Sequence, residues 1–156
     1  MAIEIERKFL VTGDEYKQET FKVIHIIQGY LSSVPERSVR IRISGDKGYI
    51  TIKGIGSDNG VSRFEWEKEI SAEDARELML LCEPGIIDKM RHLVKVGEYI
   101  FEVDEFRGDN EGLVIAEVEL PEENAAFEPP AWLGREVTGE PRYYNVMLMK
   151  YPYKLW

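Results

Sequence analysis

The chain has 156 residues and a formal net charge of −9, with 44% hydrophobic and 31% charged residues. This length suits a single domain spanning residues 1–156, and the negative charge disfavours nonspecific nucleic-acid binding. The single cysteine, Cys82, excludes an intramolecular disulfide, no apolar run approaches the length of a membrane span, and the N-terminus lacks a signal-peptide pattern. These features predict a cytoplasmic protein that binds neither nucleic acid nor membrane. The oligomeric state stays open, a homodimer included.

The first predicted strand, residues 2–11, carries charged side chains at alternate positions. Glu4, Glu6 and Lys8 alternate with Ile5 and Phe9. Alternate residues of a strand share a face, so one face is charged and the other is mainly apolar. Two carboxylates about 7 Å apart on one strand can reach a common divalent cation, and the lysine can hold the anion that the cation binds. Taken alone, the segment fits an edge strand with a solvated charged face equally well.

Seven further strands are predicted near residues 22–31, 38–44, 48–54, 62–70, 88–96, 99–106 and 113–120, and six of them repeat this alternation. Arg40 and Arg42 share one face of their strand, whereas Glu102 and Asp104 share a face of another. The charged faces tend to a single sign within each strand, and scattered solvating charges would not usually sort this way. The other charged residues of matching position are Lys53, Arg63, Glu65, Glu67, Lys89, Arg91, Glu117 and Glu119.

Two helices are predicted between and after these strands. The first begins at Ser71, in a sequence resembling a capping box, continues with apolar residues at helical spacing to Cys82, and stops before Pro84. The second runs from Pro141 to about Met149, and residues 14–20 predict a short helical turn. If the C-terminal helix closes one end of the barrel, it brings Arg142 or Lys150 near the ligand. Residues 122–130 are interpreted as a connector.

Short links join most of the strands, and this favours antiparallel neighbours. Residues 44–48 and 96–98 are typical hairpin turns. Eight antiparallel strands of this length can close into a barrel with room for one small ligand. The predicted fold class is therefore mainly β (α+β): a closed eight-stranded antiparallel β-barrel forming a tunnel, with a polar, charged lumen. The helices and the C-terminal tail are expected to cover its apolar outer face.

The predicted lumen holds eight acidic and seven basic side chains. Burying so many ions without partners would cost several kcal/mol for each, so a structural purpose alone does not explain them. Arginine and lysine suit phosphate oxygens, and clustered carboxylates suit Mg²⁺ or Mn²⁺. The combination predicts a metal-bound polyphosphate as ligand, with hydrolysis or phosphoryl transfer as the reaction.

The order and spacing of these charged motifs resemble those of the CYTH superfamily, the triphosphate tunnel metalloenzymes. The Glu4-x-Glu6-x-Lys8 motif carries the resemblance, which extends over nearly the whole chain to the tail around Arg142 and Asn145. Seven such elements occur in the right order, on strands of matching alternation. They continue with Arg40-x-Arg42, Lys53, Arg63-x-Glu65-x-Glu67, Lys89-x-Arg91, Glu102-x-Asp104 and Glu117-x-Glu119.

The resemblance implies an eight-stranded tunnel whose members act on triphosphates with a divalent metal, Mg²⁺ or Mn²⁺. It implies that Glu4, Glu6 and Glu119 hold the first metal, and that Glu117, with Glu65 or Glu67, serves a second metal or orients the attacking water. Glu102 and Asp104 would hold basic residues in place. Residues that would grip the small anionic triphosphate are Lys8, Arg40, Arg42, Lys53, Arg63, Lys89 and Arg91.

Inorganic tripolyphosphate is the first predicted substrate, with nucleoside triphosphates as weaker ones, because a lumen lined almost entirely by charge recognises phosphate more than purine. Three alternatives stay open: a class IV type adenylyl cyclase, a thiamine triphosphatase and a non-catalytic polyphosphate-binding module. A lipocalin-like barrel would instead have an apolar lumen.

Overall fold

The computed structural model describes residues 2–58 and 62–156, and for residues 2–4 it describes the backbone alone. Three α-helices accompany the strands: α1 (Tyr16–Glu19), α2 (Ala72–Met79) and α3 (Asn145–Lys150). Short 3-10 turns span Pro35–Arg37, Gly108–Asn110, Pro141–Tyr143 and Tyr153–Leu155. The strands are β1 (Ala2–Val11), β2 (Thr20–Ser32), β3 (Ser38–Ser44), β4 (Lys47–Gly56), β5 (Ser62–Ile70), β6 (Ile87–Val96), β7 (Tyr99–Phe106), β8 (Val114–Glu119) and β9 (Leu133–Glu136).

Eight of these strands form the predicted closed antiparallel barrel. They are ordered β5-β4-β3-β2-β6-β7-β8-β1, and antiparallel pairing of β1 with β5 closes the circle. The prediction of an eight-stranded antiparallel barrel is therefore confirmed, and each predicted strand begins and ends within two residues of the observed one. Both predicted hairpin turns are present, with Gly45 and Gly97 at a φ of 61°, a region where glycine has no steric penalty.

A ninth strand, which was not predicted from the sequence, pairs with β1 beyond the segment where β1 meets β5. Residues 2–5 of β1 pair with β5, whereas Phe9 and Val11 pair with Glu136 and Leu133 of β9. The four-residue β9 is too short to show an alternating pattern. It becomes a strand because the far half of β1 leaves that edge open for pairing.

The strand register separates a polar face from an apolar one. Arg40 lies opposite Thr51 across β3 and β4, whereas the next residue, Ile41, lies opposite Ile50. Since successive side chains of a strand point to opposite faces, this register places the charged residues in the lumen and the apolar ones outside. The predicted inward orientation of the charged faces is confirmed for the side chains that the structure describes.

Helix α2 covers the outer face of β3 and β4. It starts as predicted, with Ser71 Oγ accepting a hydrogen bond from the Asp74 backbone N–H at 3.0 Å. Gly48 of β4 permits the close approach, because a Cβ atom there would lie 2.7 Å from Cβ of Ala75. The helix ends at Met79, so the stretch to Cys82 is a turn and not the last helical turn that was predicted.

The connector after β8 covers the other outer face, a task that the prediction had assigned to the helices and the tail. Trp132 is 1% exposed and its ring makes edge contacts with Phe101 and Tyr16. Val118 and Phe9 complete this core. The covering is incomplete, since Phe64 and Trp66 of β5 stay 36% and 46% exposed.

The C-terminal segment folds across one end of the barrel in two pieces. The single helix predicted from Pro141 to Met149 is a 3-10 turn followed by α3, because Tyr144 between them has an extended backbone with φ of −70° and ψ of 138°. Arg142 lies outside the lumen, with its guanidinium 3.7 Å from the ring centre of Trp156. Lys150 lines the lumen cavity. None of the helices in the described part of the chain has the length and apolar character needed to cross a bilayer.

Candidate active site

The lumen of the barrel contains a cavity of about 440 Å³. Side chains from β8 and from all six strands β1 to β6 line it, and the C-terminal segment closes one side. Among the side chains that the structure describes, two acidic residues line the cavity, Glu6 and Glu117. Eight lining residues are basic: Lys8, Arg40, Arg42, Lys53, Arg63, Lys89, Arg91 and Lys150.

All seven predicted phosphate-binding residues therefore lie around one cavity. The period of two along each strand brings Arg40 and Arg42 to the same face. Antiparallel pairing of β2 with β3 and β6 then unites residues far apart in sequence. Lys89 and Arg91 reach the cavity from β6, on the other side of β2.

Four of the eight predicted lumen acids hold basic residues and do not line the cavity. Glu65 Oε2 lies 3.8 Å from Lys53 Nζ, and Glu67 Oε1 lies 3.6 Å from an Arg40 amino group. Glu102 accepts a hydrogen bond from Arg91 at 3.2 Å. These contacts fix the cationic side chains, which would otherwise repel one another.

Asp104 is the most deeply buried of these acids, at 2% exposure. It accepts two hydrogen bonds from Arg91, at 2.8 and 2.9 Å, and its Oδ2 lies 2.8 Å from Lys89 Nζ. Burial alone would raise the pKa of Asp104, but the two cations outweigh burial and hold that pKa below its usual value. Asp104 is therefore ionised and anchors both bases.

Lys89 and Arg42 hold charge in an unfavourable environment. Burial, opposed by Asp104 but reinforced by Arg91 and Arg42, lowers the pKa of Lys89 from 10.5 to about 7. Burial and the neighbouring Arg40 and Arg91 lower the pKa of Arg42 to about 9, which still leaves its guanidinium charged at neutral pH. Mutual repulsion among these cations means that a bound polyanion would relieve an existing electrostatic cost.

Glu117 sits among the cations at the inner side of the cavity. It lies opposite Lys8 in the β1–β8 register, and the Lys8 Nζ to Glu117 Oε1 distance is 3.5 Å. Burial would raise the pKa of Glu117, but Lys8, Lys89 and Arg91 lower it far more. Glu117 is consequently a permanent carboxylate and a poor proton donor.

The acidic residues of β1 and β8 include a cross-strand pair of like charge. Glu6 and Glu119 lie directly opposite one another, and Glu6 Oε1 also lies 3.9 Å from an Arg63 amino group. The predicted third ligand is Glu4, whose side chain falls outside the described residues. The side chains that are described include no group of three or more His, Cys, Asp or Glu positioned to hold a metal. The oxygen donors of Glu6 and Glu119 fit Mg²⁺ or Mn²⁺ chemically.

Several lining residues were not predicted. Thr51, buried beside Lys53 on β4, donates a hydrogen bond to Glu67 Oε1 at 2.7 Å and accepts one from Arg40 at 3.1 Å. Its position two residues before Lys53, on the same face of the strand, would have allowed its assignment to the lumen from the sequence. Asn145, by contrast, accepts a hydrogen bond from Lys89 at 3.0 Å, and no local sequence pattern predicts that contact.

The C-terminal segment also contacts Lys8. The backbone carbonyl of Tyr143 accepts a hydrogen bond from Lys8 Nζ at 3.2 Å, and the Tyr144 ring lies 5.3 Å from the same atom. Tyr30 of β2 lines the cavity and also belongs to the adjoining core.

One side of the cavity is less charged than the sequence suggested. Pro35 and Ile55 are exposed and line the cavity, together with Val146 and Met147. We call these four residues the apolar rim. The expectation of a lumen lined almost entirely by charge is therefore wrong at this rim, because its four residues lie outside the predicted strands.

Comparison with known proteins places this site in context. The sequence model of the CYTH domain family matches residues 2–144. The chain is 51% identical over 155 residues to an inorganic triphosphatase of Acetivibrio thermocellus, covering 99% of this chain and 97% of the relative. It is 36% identical over 149 residues to an inorganic triphosphatase of Nitrosomonas europaea, covering 93% and 95%. A solved structure of an inorganic triphosphatase matches with a TM-score of 0.68 at 33% identity, covering 94% and 97%.

Proposed function

Because this chain belongs to the CYTH domain family, we propose that it is a divalent-metal-dependent triphosphatase whose main substrate is inorganic tripolyphosphate. Two relatives of nearly equal length, at 51% and 36% identity, are inorganic triphosphatases by name. The observation that carries the proposal is the charge of the cavity: eight basic and two acidic residues line it among the side chains that the structure describes, in a chain whose net charge is −9. A site so opposed to the charge of the whole chain suits a compact polyanion.

The basic residues account for binding and for part of the rate enhancement. Guanidinium groups such as Arg40, Arg42 and Arg91 can each donate two parallel hydrogen bonds to phosphate oxygens. Phosphoryl transfer depends mainly on positioning and on stabilising charge that spreads over the transferred group. The carboxylates behind the arginines hold them in place before the substrate arrives, so little reorganisation remains for the reaction itself.

Lys89, which lines the cavity, is the proton acceptor in this proposal. A general base works best when its pKa lies near the working pH, and burial brings the pKa of Lys89 to about 7. The neutral amine can take a proton from a water molecule attacking the terminal phosphorus, while the phosphoanhydride bond breaks and pyrophosphate leaves. Glu117, which was predicted to orient the water, has its pKa lowered by the surrounding cations and is a weaker base.

The metal would be held by Glu4, Glu6 and Glu119, and Glu117 would serve a second ion. When bound there, a divalent cation would neutralise charge on the phosphate oxygens and favour departure of the pyrophosphate leaving group. Glu6 and Glu119 are direct cross-strand neighbours, and this position would let both carboxylates contact the same ion.

The experiment compares tripolyphosphate, ATP, thiamine triphosphate and pyrophosphate as substrates, with Mg²⁺, with Mn²⁺ and with a chelator. Phosphate, pyrophosphate and cyclic AMP are each quantified. We expect tripolyphosphate to give equal amounts of phosphate and pyrophosphate, and the chelator to stop the reaction. Cyclic AMP with pyrophosphate as the main products would replace the proposal by a cyclase, and binding of tripolyphosphate without any turnover would replace it by a binding module.

Organic triphosphates are a second candidate substrate class, favoured by the apolar rim. Ile55 is 65% exposed and lines the cavity, so an organic group esterified to the triphosphate could pack on it. Ile55→Ser should then lower kcat/KM for ATP and leave that for tripolyphosphate unchanged. Equal effects on both substrates would assign the rim a purely structural part.

A further inference from the structure

Lys89 has two hydrogen-bond acceptors of different charge. Its ammonium contacts Asp104 Oδ2 at 2.8 Å and Asn145 Oδ1 at 3.0 Å. Asp104 belongs to the barrel wall, whereas Asn145 begins α3, 56 residues further along the chain than Lys89. Because a lysine ammonium only donates hydrogen bonds, the carbonyl oxygen of the Asn145 amide faces it and the amide nitrogen points elsewhere.

The charge on Asp104 is shared and does not belong to Lys89 alone. Arg91 binds both oxygens of Asp104, and the other charged groups that act on Lys89 are Arg42 from β3 and Glu117 from β8. Asn145 is the neutral partner in this set. A neutral acceptor directs the amino group of Lys89 without adding negative charge to the cavity, whereas a carboxylate in its place would repel the phosphate.

The amide nitrogen of Asn145 remains available. Asn145 lines the cavity and is half-buried, and no hydrogen bond joins its Nδ2 to another residue in the part of the chain that the structure describes. An amide nitrogen has two N–H donors. A phosphate oxygen in the cavity would satisfy them.

We propose that Asn145 is a substrate-binding residue that directs Lys89 through Oδ1 and donates from Nδ2 to a phosphate oxygen of the bound triphosphate. The inference rests on the proposed function and adds one residue to its site. It also gives the C-terminal segment a part in the reaction, since α3 then carries a residue that contacts substrate.

The surroundings keep Asn145 in place. Asn110, only 4% exposed, donates a hydrogen bond from Nδ2 to the Leu148 carbonyl at 3.4 Å and accepts one from the Tyr153 N–H at 2.8 Å. Leu148 itself is fully buried. These contacts attach α3 to the loop between β7 and β8, so the position of Asn145 is set independently of the ligand.

The decisive variant is Asn145→Asp, which keeps the shape of the side chain but replaces its N–H donors by a charged oxygen. Asn145→Ala removes the side chain altogether. Asn124→Asp is the matched control, because it makes the same change of charge at an exposed residue outside the lumen cavity. We expect Asn145→Asp to raise KM for tripolyphosphate by about tenfold or more, Asn145→Ala to lower kcat/KM by a similar factor, and Asn124→Asp to change neither.

Two readouts separate this role from a structural one. The added carboxylate favours the charged form of Lys89, so the limb of the pH–rate profile that requires the free amine should move to higher pH in Asn145→Asp. The same displacement should appear in the titration of the Lys89 Cε resonance in lysine-labelled protein without metal or substrate. Thermal unfolding of each variant checks that the fold is kept.

The outcomes distinguish the two proposals. If the wild-type protein hydrolyses no triphosphate, the proposed function fails, while the Lys89 titration and direct binding of tripolyphosphate still test Asn145. A displaced titration with a raised dissociation constant or KM supports the inference. A displaced titration with wild-type affinity overturns the phosphate contact, and wild-type behaviour in both measurements overturns the inference as a whole.

Discussion

Asp104→Asn tests whether the buried carboxylate holds the cationic wall together. The amide has nearly the same shape but no charge, so it leaves Lys89 and Arg91, at 0% and 7% exposure, without their shared counter-ion. Removing one partner of a buried ion pair costs about 3–5 kcal/mol. For a domain of this size about 2–4 °C of Tm accompanies each kcal/mol, which corresponds to a Tm lower by roughly 6–20 °C.

The matched control is Glu136→Gln, the same chemical change in a partly exposed pair. Glu136 binds Arg7 through two hydrogen bonds, at 2.9 and 2.7 Å, as Asp104 binds Arg91, but at the surface such a pair contributes about 1 kcal/mol or less. Differential scanning calorimetry and urea titration at pH 7 measure both variants. Equal, small losses in the two would refute the reasoning that burial of uncompensated charge sets the magnitude.

Three further predictions follow from the site and from the packing of the barrel. Glu4→Gln and Glu6→Gln should each abolish metal-dependent turnover while circular dichroism stays unchanged, and wild-type rates in both would remove these residues from the site. Lys89→Met should be inactive yet folded. Burial lowers the pKa of Lys89 from 10.5 to about 7, so between these pH values the unfolded chain keeps a proton that the folded protein has lost. The free energy of unfolding therefore rises with pH over this range. Urea titrations at pH 7 and pH 9 should show a smaller rise in Lys89→Met than in the wild-type protein. Gly48→Ala should destabilise by about 1–3 kcal/mol, since its Cβ would lie 2.7 Å from Ala75 Cβ, and an unchanged urea midpoint would contradict this.

Individual residues show where sequence reasoning reached its limit. Arg40 and Arg42 could be assigned to the lumen because two residues apart on a strand means the same face. The contact of Asn145 with Lys89 could not be assigned, since the two residues are 56 positions apart and Asn145 follows an extended Tyr144 that interrupts the predicted helix. Trp132 lies in a connector without periodicity, and it is buried only because the outer face of β1, β7 and β8 needed a cover.

The sequence by itself determined the number of barrel strands, their antiparallel order of connection and which side chains of those strands face the lumen, because the alternation of charge and the short turns are local properties with a period of two. Only the tertiary structure decided which acid meets which base. Asp104, not Glu102, became the shared anchor of Arg91 and Lys89, since it is the residue opposite Arg91 in the β6–β7 register. The apolar rim and the amide of Asn145 likewise come from residues outside the predicted strands, whose positions depend on what they pack against.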